Sequence, residues 1–208
     1  MYWKYASIVI FAIFCLWVLV ETKLKSREED NAEEAFWERE RKANFVRRKP
    51  IDNLDYVVIP DDLPYDCVSG NADIDSYIRI IKDLRDEKIL NLTGYTNTEV
   101  KEMYGAPNFP ILSIADTNYT SLVTTLQKWA DELLKLKYTK EAVQIMEYSI
   151  SIGTDVGKTF RVLADYYARE KRFSEIDELI LKTDKLKSLA APSIARSLED
   201  IKNNYLVS

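Results

Sequence analysis

Two stretches of the chain carry the same order of apolar and polar positions. From Leu126 the apolar residues are Leu126, Trp129, Ala130, Leu133 and Leu134, and from Phe160 they are Phe160, Leu163, Ala164, Tyr167 and Ala168. Both sets follow i, i+3, i+4, i+7, i+8, which is one stripe along a helix. A polar turn follows each, KYTKE and then KRFSE, and leads to a second helix with Ala142, Ile145 and Met146, or Ile176, Leu179 and Ile180. Every position is offset by 34 residues, and Glu141 and Glu175 align too. A third helix of the first kind begins at the same offset with Ile194, Leu198 and Ile201.

Upstream the pattern changes. Ile74, Tyr77, Ile78, Ile81 and Leu84 lie on one face of a helix over 72–90, which Asn71 or Asp73 can cap. TNTEVKEMYG reads as a short helix stopped by Gly105, and APNFPILSI as a loop broken by Pro107 and Pro110, with the next helix opening at Asp116 or Thr117. Pro50, Pro60 and Pro64 forbid a regular helix over 50–70, which reads as an extended tether laying Leu54, Tyr56, Val58 and Ile59 on the domain behind it. Residues 22–49 are charged and free of Gly and Pro, a solvated helix. Their apolar positions (Ala35, Phe36, Trp37, Ala43, Phe45 and Val46) do not sustain the heptads of a coiled coil.

The first 21 residues are different again. Residues 5–20 carry no charge, Lys4 precedes them, and Lys23, Lys25 and Arg27 follow. Such a run predicts a transmembrane helix that contacts the lipid bilayer. Val18 and Val20 stand where a signal peptidase wants small residues, so the anchor is expected to stay uncleaved. The larger basic flank places the N-terminus outside and the remaining chain in the cytoplasm, as a single-pass plasma-membrane protein. On that topology the sequons at Asn91 and Asn118 are chance matches. The expected organisation is then an anchor over 1–21, a charged juxtamembrane helix over 22–49, a tether over 50–70, a helical cap and loop over 71–115, and repeated helices over 116–208. The fold class is all-α: a transmembrane helix, then a helical-repeat α-α bundle.

Composition narrows the chemistry. The chain has 208 residues, a net charge of -5 and no histidine, so it offers no electrostatic footprint for nucleic acid and lacks the commonest general base and metal ligand. The two cysteines, Cys15 and Cys67, fall short of a structural zinc site, and neither metal nor cofactor is expected. GTDVGKT at 153–159 lacks the spacing of a phosphate loop and no strand precedes it. Carboxylate catalysis, the alternative of a membrane-bound enzyme, has only Asp131 and Asp165 to draw on, at equivalent turns. A subunit of a membrane complex is the other alternative.

The 34-residue helix–turn–helix period over 123–205 resembles the tetratricopeptide repeat. Leu126, Trp129 and Ala130, then Phe160, Leu163 and Ala164, match that family's large, bulky and small residues on the first helix. Tyr167 matches its later aromatic and Ala142 its small residue opening the second helix. Leu133 and Ile176 depart from those two positions, and Thr154 and Ser188 stand where a turn proline is usual. The resemblance implies a right-handed stack with a concave face of first helices. The outward residues of that face would be Gln127, Asp131, Lys135, Lys158, Arg161, Asp165 and Arg169. It further implies a scaffold or adaptor, not an enzyme, that binds a protein or peptide partner, with the basic second set suited to an acidic peptide or a C-terminal carboxylate. The order of pieces as a whole, with FWERERKAN, IDNLDYVVIP and NLTGYTNTEVKEMYG, resembles single-span proteins of anaerobic Gram-positive, Clostridia-like bacteria, a resemblance that implies a membrane setting and no particular activity.

Overall fold

Each polar turn between paired helices closes in the same way. In the computed structural model Lys137 and Lys171, 34 residues apart, both take left-handed backbone (φ 68° and 58°). Around them the bonds repeat: Lys137 N–H to Leu134 O and Lys171 N–H to Ala168 O, both 3.1 Å, then Tyr138 N–H to Leu133 O at 2.9 Å and Arg172 N–H to Tyr167 O at 2.8 Å. This 6→1 closure satisfies carbonyls that a helix end leaves orphaned. It normally recruits glycine, and a lysine accepts the strained φ only because both helices are already fixed by packing.

The backbone is described for residues 3–207, while the side chains of residues 3–10, 12, 13, 26–28 and 207 lie outside the description. The helices are α1 (Trp3–Asn44), α2 (Ala72–Asp83), α3 (Asn97–Tyr104), α4 (Phe109–Lys135), α5 (Thr139–Ser151), α6 (Gly157–Arg169), α7 (Phe173–Thr183) and α8 (Ala191–Val207). No strand occurs among the described residues, so the all-α class holds. The chain divides into two units, Met1–Lys49 with Asn97–Pro107, and Pro50–Thr96 with Asn108–Ser208.

In the second unit α4 pairs with α5, α6 with α7, α5 meets α6, and α8 packs on both α6 and α7. The periodic residues fill the core: Leu126, Trp129, Ala130 and Leu133 on α4, Phe160, Leu163 and Ala164 on α6, Ile194 and Leu198 on α8. Ala130 and Ala164 keep the helices close, and Trp129 and Phe160 are the bulkiest side chains fully removed from water. The indole N–H of Trp129 is buried and, among the described residues, has no hydrogen-bond partner.

Two stretches depart from the sequence expectations. α4 opens at Phe109, because Pro110 occupies the first turn, where a missing N–H costs no helical bond. The helix expected over 72–90 stops at Asp83 with a 3-10 turn over Leu84–Asp86, and Asn71 alone caps it through Asp73 and Ile74 N–H. Residues 87–96 instead run extended along the ends of several helices. Leu90 N–H bonds to Ala115 O at 3.1 Å and Leu92 N–H to the Asp116 carboxylate at 3.0 Å. Asn91 Nδ2 donates to Tyr119 Oη at 2.9 Å and to Gly153 O at 3.1 Å. Gly94 (φ 87°) lies against Lys187, and a Cβ there would stand 2.7 Å from the Lys187 carbonyl. Ile89, Leu90 and Leu92 are buried by this course. The amide nitrogen of Asn118 also donates, to Lys88 O at 3.1 Å, so both sequon side chains are engaged within the fold.

The tether does lie on the helices behind it, with Leu54, Tyr56 and Ile59 inward as expected and Val57 in place of Val58. The Val57 N–H bond to Ile89 O (2.9 Å) turns Val57 inward and leaves Val58 81% exposed, with Ile59 and Leu63 buried. Leu54 and Tyr56 are half-buried. Tyr65 places its ring 5.6 Å from that of Trp129. Gln144 donates to Asp62 O (2.7 Å) and Tyr148 to Val58 O (3.2 Å), which fastens the tether to α5. Burial pushes the phenols of Tyr65, Tyr119 and Tyr148 above the ordinary tyrosine range.

In the first unit the end of α1 meets α3. Arg39 clasps Glu102 with two bonds of 2.8 and 2.6 Å, and Glu40 accepts from Lys101 and from Thr98 (2.5 Å). The hydrogen bond from Lys101 holds the Glu40 carboxyl below the usual range, and that from Arg39 does the same for Glu102. Gly105 (φ 91°) is required here, because a Cβ would stand 2.2 Å from Arg47 O.

One expectation is corrected. Among the described residues no helix is long and apolar enough to cross a membrane. The transmembrane anchor over 1–21, the bilayer contact through 5–20, and the single-pass plasma-membrane localisation with an outside N-terminus and a cytoplasmic domain are therefore not supported. The uncharged stretch is followed directly by Glu21, Lys23 and Lys25 on the same helix. Residues 5–10, 12 and 13 of the expected span lie outside the described side chains.

Two stability measurements check this packing. Trp129→Ala is expected to lower the free energy of urea unfolding by roughly 3–5 kcal/mol. Trp129→Phe removes an N–H that has no partner, and it is expected to cost less than half as much. Lys137→Gly and Lys171→Gly each relieve a left-handed side-chain residue and are expected to raise stability by roughly 0.5–1 kcal/mol, additively in the double variant. A loss of stability in either would show that the turn is not strained.

Candidate functional site

α4, α6 and α8 carry equivalent positions 34 residues apart, so one column of side chains passes from Gln127 to Arg161 to Ala195 and another from Asp131 to Asp165 to Glu199. The residues expected to form a partner face fall into two groups, with Lys135 and Arg161 each apart.

The first group ties α4 to α6. Gln127 donates from Nε2 to Asp131 Oδ1 at 3.0 Å, and its carbonyl accepts from the buried Thr159 hydroxyl. The second Asp131 oxygen accepts from Lys158 Nζ at 2.6 Å. Thr159 has no room to face water, so its hydroxyl needs this acceptor. The second group ties α6 to α8. Asp165 accepts from Tyr205 Oη at 2.8 Å and pairs with Arg169 at 2.7 Å, and Arg169 Nε donates back to Tyr205 Oη at 3.3 Å. The bond to Tyr205, then the Asp165 charge, raises the Arg169 guanidinium above its already high range. Lys135 stays apart from both groups. It is exposed and pairs with Glu132 on its own helix at 2.7 Å, which raises its ammonium.

Arg161 also stands apart. It is exposed, and among the described residues its guanidinium has neither an ion pair nor a hydrogen bond. It folds over the first turn of α6, where a Cβ on Gly157 would stand 3.0 Å from Nη1 and 3.4 Å from Ile194 Cγ1. That turn holds no acidic residue and no side-chain cap. Arg161 therefore adds to the positive end of the helix, with Lys158 held in its pair with Asp131, and the surface at Arg161 favours anionic groups.

Thr159 and Tyr205 escaped the sequence reading. Each had a weak signal. Thr159 directly precedes the first buried aromatic of α6, and Tyr205 continues the stripe Leu198, Ile201 by one helical turn. The two carboxylates considered for catalysis, Asp131 and Asp165, are each ion-paired and serve different helix contacts. Among the described residues no three His, Cys, Asp or Glu side chains gather to hold a metal ion. Burial pushes the Cys67 thiol up, away from the thiolate a nucleophile needs. No protein family, curated protein or solved structure matches the chain.

Tyr205→Phe keeps the ring and removes the hydroxyl shared by Asp165 and Arg169. It is expected to cost about 1 kcal/mol, with amide exchange speeding up in α8 before α6 and α7. Unchanged exchange in α8 would show that the hydroxyl does not hold this helix.

Proposed function

We propose that the chain is a helical-repeat scaffold, tetratricopeptide-like in its right-handed stacking, that binds a protein or peptide partner on the face of α4, α6 and α8. The observation that carries this reading is the repetition of one turn geometry at Lys137 and Lys171, with the same buried positions on either side. Equivalent helix pairs stacked in one register align their first helices, and an extended surface of that kind suits a peptide or a protein segment. The face is amphoteric by composition, but Asp131 and Asp165 are engaged. Asp131 holds Lys158 and Asp165 holds Arg169, while Arg161 stands over a helix start. Outside these pairs the face carries Arg161 on α6 and Glu199 on α8, and an acidic group of a partner segment suits the α6 end at Arg161.

A photo-reactive residue placed at Glu199, in the Asp131–Asp165 column, is expected to capture the partner, and one at Glu178 on α7 is not. Arg161→Glu is expected to weaken binding roughly tenfold, about 1.4 kcal/mol, without changing the melting curve. Arg169 is left intact in this test because it supports α8. Binding should also weaken as salt rises, since exposed charges are screened over ~8–10 Å. Equal capture from Glu178, or binding indifferent to Arg161→Glu, would remove this face from consideration.

A further inference from the structure

Two kinds of attachment hold the end of α1 to the α3 segment, and they differ in what can undo them. Residues 46–49 are bound chiefly through the backbone, Ala106 N–H to Val46 O and Lys49 N–H to Tyr104 O, both 3.1 Å, with Gly105 pressed against Arg47 and the Lys49 ammonium added on the Glu102 carbonyl at 2.9 Å. The last turns of α1 are bound through charged side chains. Arg39 meets Glu102 in a two-pronged contact and Glu99 at 3.9 Å, and Glu40 sits between Lys101 and Thr98. Little apolar surface backs these charges. Among the side chains described on α1, Ala43 alone is buried, and its neighbours Phe36, Trp37 and Phe45 are exposed.

Screening by salt weakens exposed ion pairs and leaves backbone bonds nearly untouched. Between the two attachments lies the end of the helix, where only Phe45 N–H to Lys42 O and Val46 N–H to Ala43 O continue the turn. α1 has 42 residues, about 63 Å of helix, so a small rotation at that point moves its far end a long way.

We infer that Arg39–Glu102 and Glu40–Lys101 form an ionic latch, and that α1 swings off α3 about Phe45–Val46 when those pairs are screened or broken, with residues 46–49 still in place. The Arg39–Glu102 clasp is the half-exposed, weak and salt-responsive part of the latch, while Glu40 and Lys101 are mostly shielded from solvent and let go only once the clasp has opened. The hinge is a helix terminus, the kind of position that absorbs a change of backbone angle, and Ala43 is the one buried side chain described on α1 that the swing would uncover.

The test uses the full chain with Cys15 and Cys67 replaced by serine and spin labels at Ala35→Cys on α1 and Asn97→Cys on α3, two exposed positions outside the latch. At low salt one short distance is expected. At about 1 M salt, where the Debye length is ~3 Å, a longer distance should appear and the closed-to-open ratio should fall roughly fivefold. Arg39→Glu should open the latch at low salt, and Arg39→Glu combined with Glu102→Arg should close it again. That restoration separates charge pairing from simple damage to the fold. Amide protection at Lys49 and Ala106 should persist throughout. A distance indifferent to salt, a charge swap that fails to restore closure, or loss of protection at Lys49 and Ala106 on opening would each overturn the inference.

Discussion

A pair of antiparallel helices has two broad apolar faces, and one partner covers only one of them. That constraint governs the larger unit. α4 and α5 bury Trp129, Leu133, Ile145 and Met146 against each other and against α6, yet their other face would remain open to water. α2 and the tether close it, with Ile59, Leu63 and the ring of Tyr65 delivered to the side of Trp129. At the far end α8 packs on α6 and α7 through Ile194 and Leu198, while Arg196, Glu199, Asp200, Asn203 and Asn204 keep its outer side polar. A stack too short to stand as a free solenoid is completed by two dissimilar ends, one extended and one helical.

The same requirement explains why the candidate face is mostly engaged with itself. Neighbouring first helices must hold register along their length, and the apolar stripe alone tolerates sliding. Gln127, Asp131, Lys158 and Thr159 fix α4 against α6, and Asp165, Arg169 and Tyr205 fix α6 against α8. Polar residues spent on register are less free to meet a partner. Arg161 differs because its side chain turns back over the first turn of its own helix, which carries no acidic residue. The proposed binding reading thus narrows from seven residues to a surface centred on one, with Lys158 and Arg169 contributing charge from within their pairs.

The correction at the N-terminus has a physical lesson of its own. An uncharged run that leads into a charged run looks like an anchor followed by a linker. In the structure both runs belong to one helix, α1, with no break between them. What meets α3 is the charged end, through Arg39 and Glu40, and no apolar periodicity announces such a contact. Residues 97–107, placed by sequence reasoning between a cap and a loop, group with α1 for the same reason.

By itself the sequence determined the helices whose apolar residues recur at helical spacing, because burial of one stripe acts locally and leaves a periodic trace. α4 through α8, their offset of 34 and their core could be read from Leu126, Trp129, Phe160, Leu163 and their equivalents. Only the tertiary structure decided the remainder. Residues 87–96 abandon the helix because their backbone groups find partners at Ala115, Asp116 and, through Asn91, Gly153. Val57 turns inward in place of Val58 because one bond to Ile89 sets the register. Lys137 and Lys171 accept left-handed turns because the packed helices leave no other closure. Each outcome depends on a partner far away in sequence, and a pattern of neighbouring residues holds no record of the distant group that satisfies an N–H or a carbonyl.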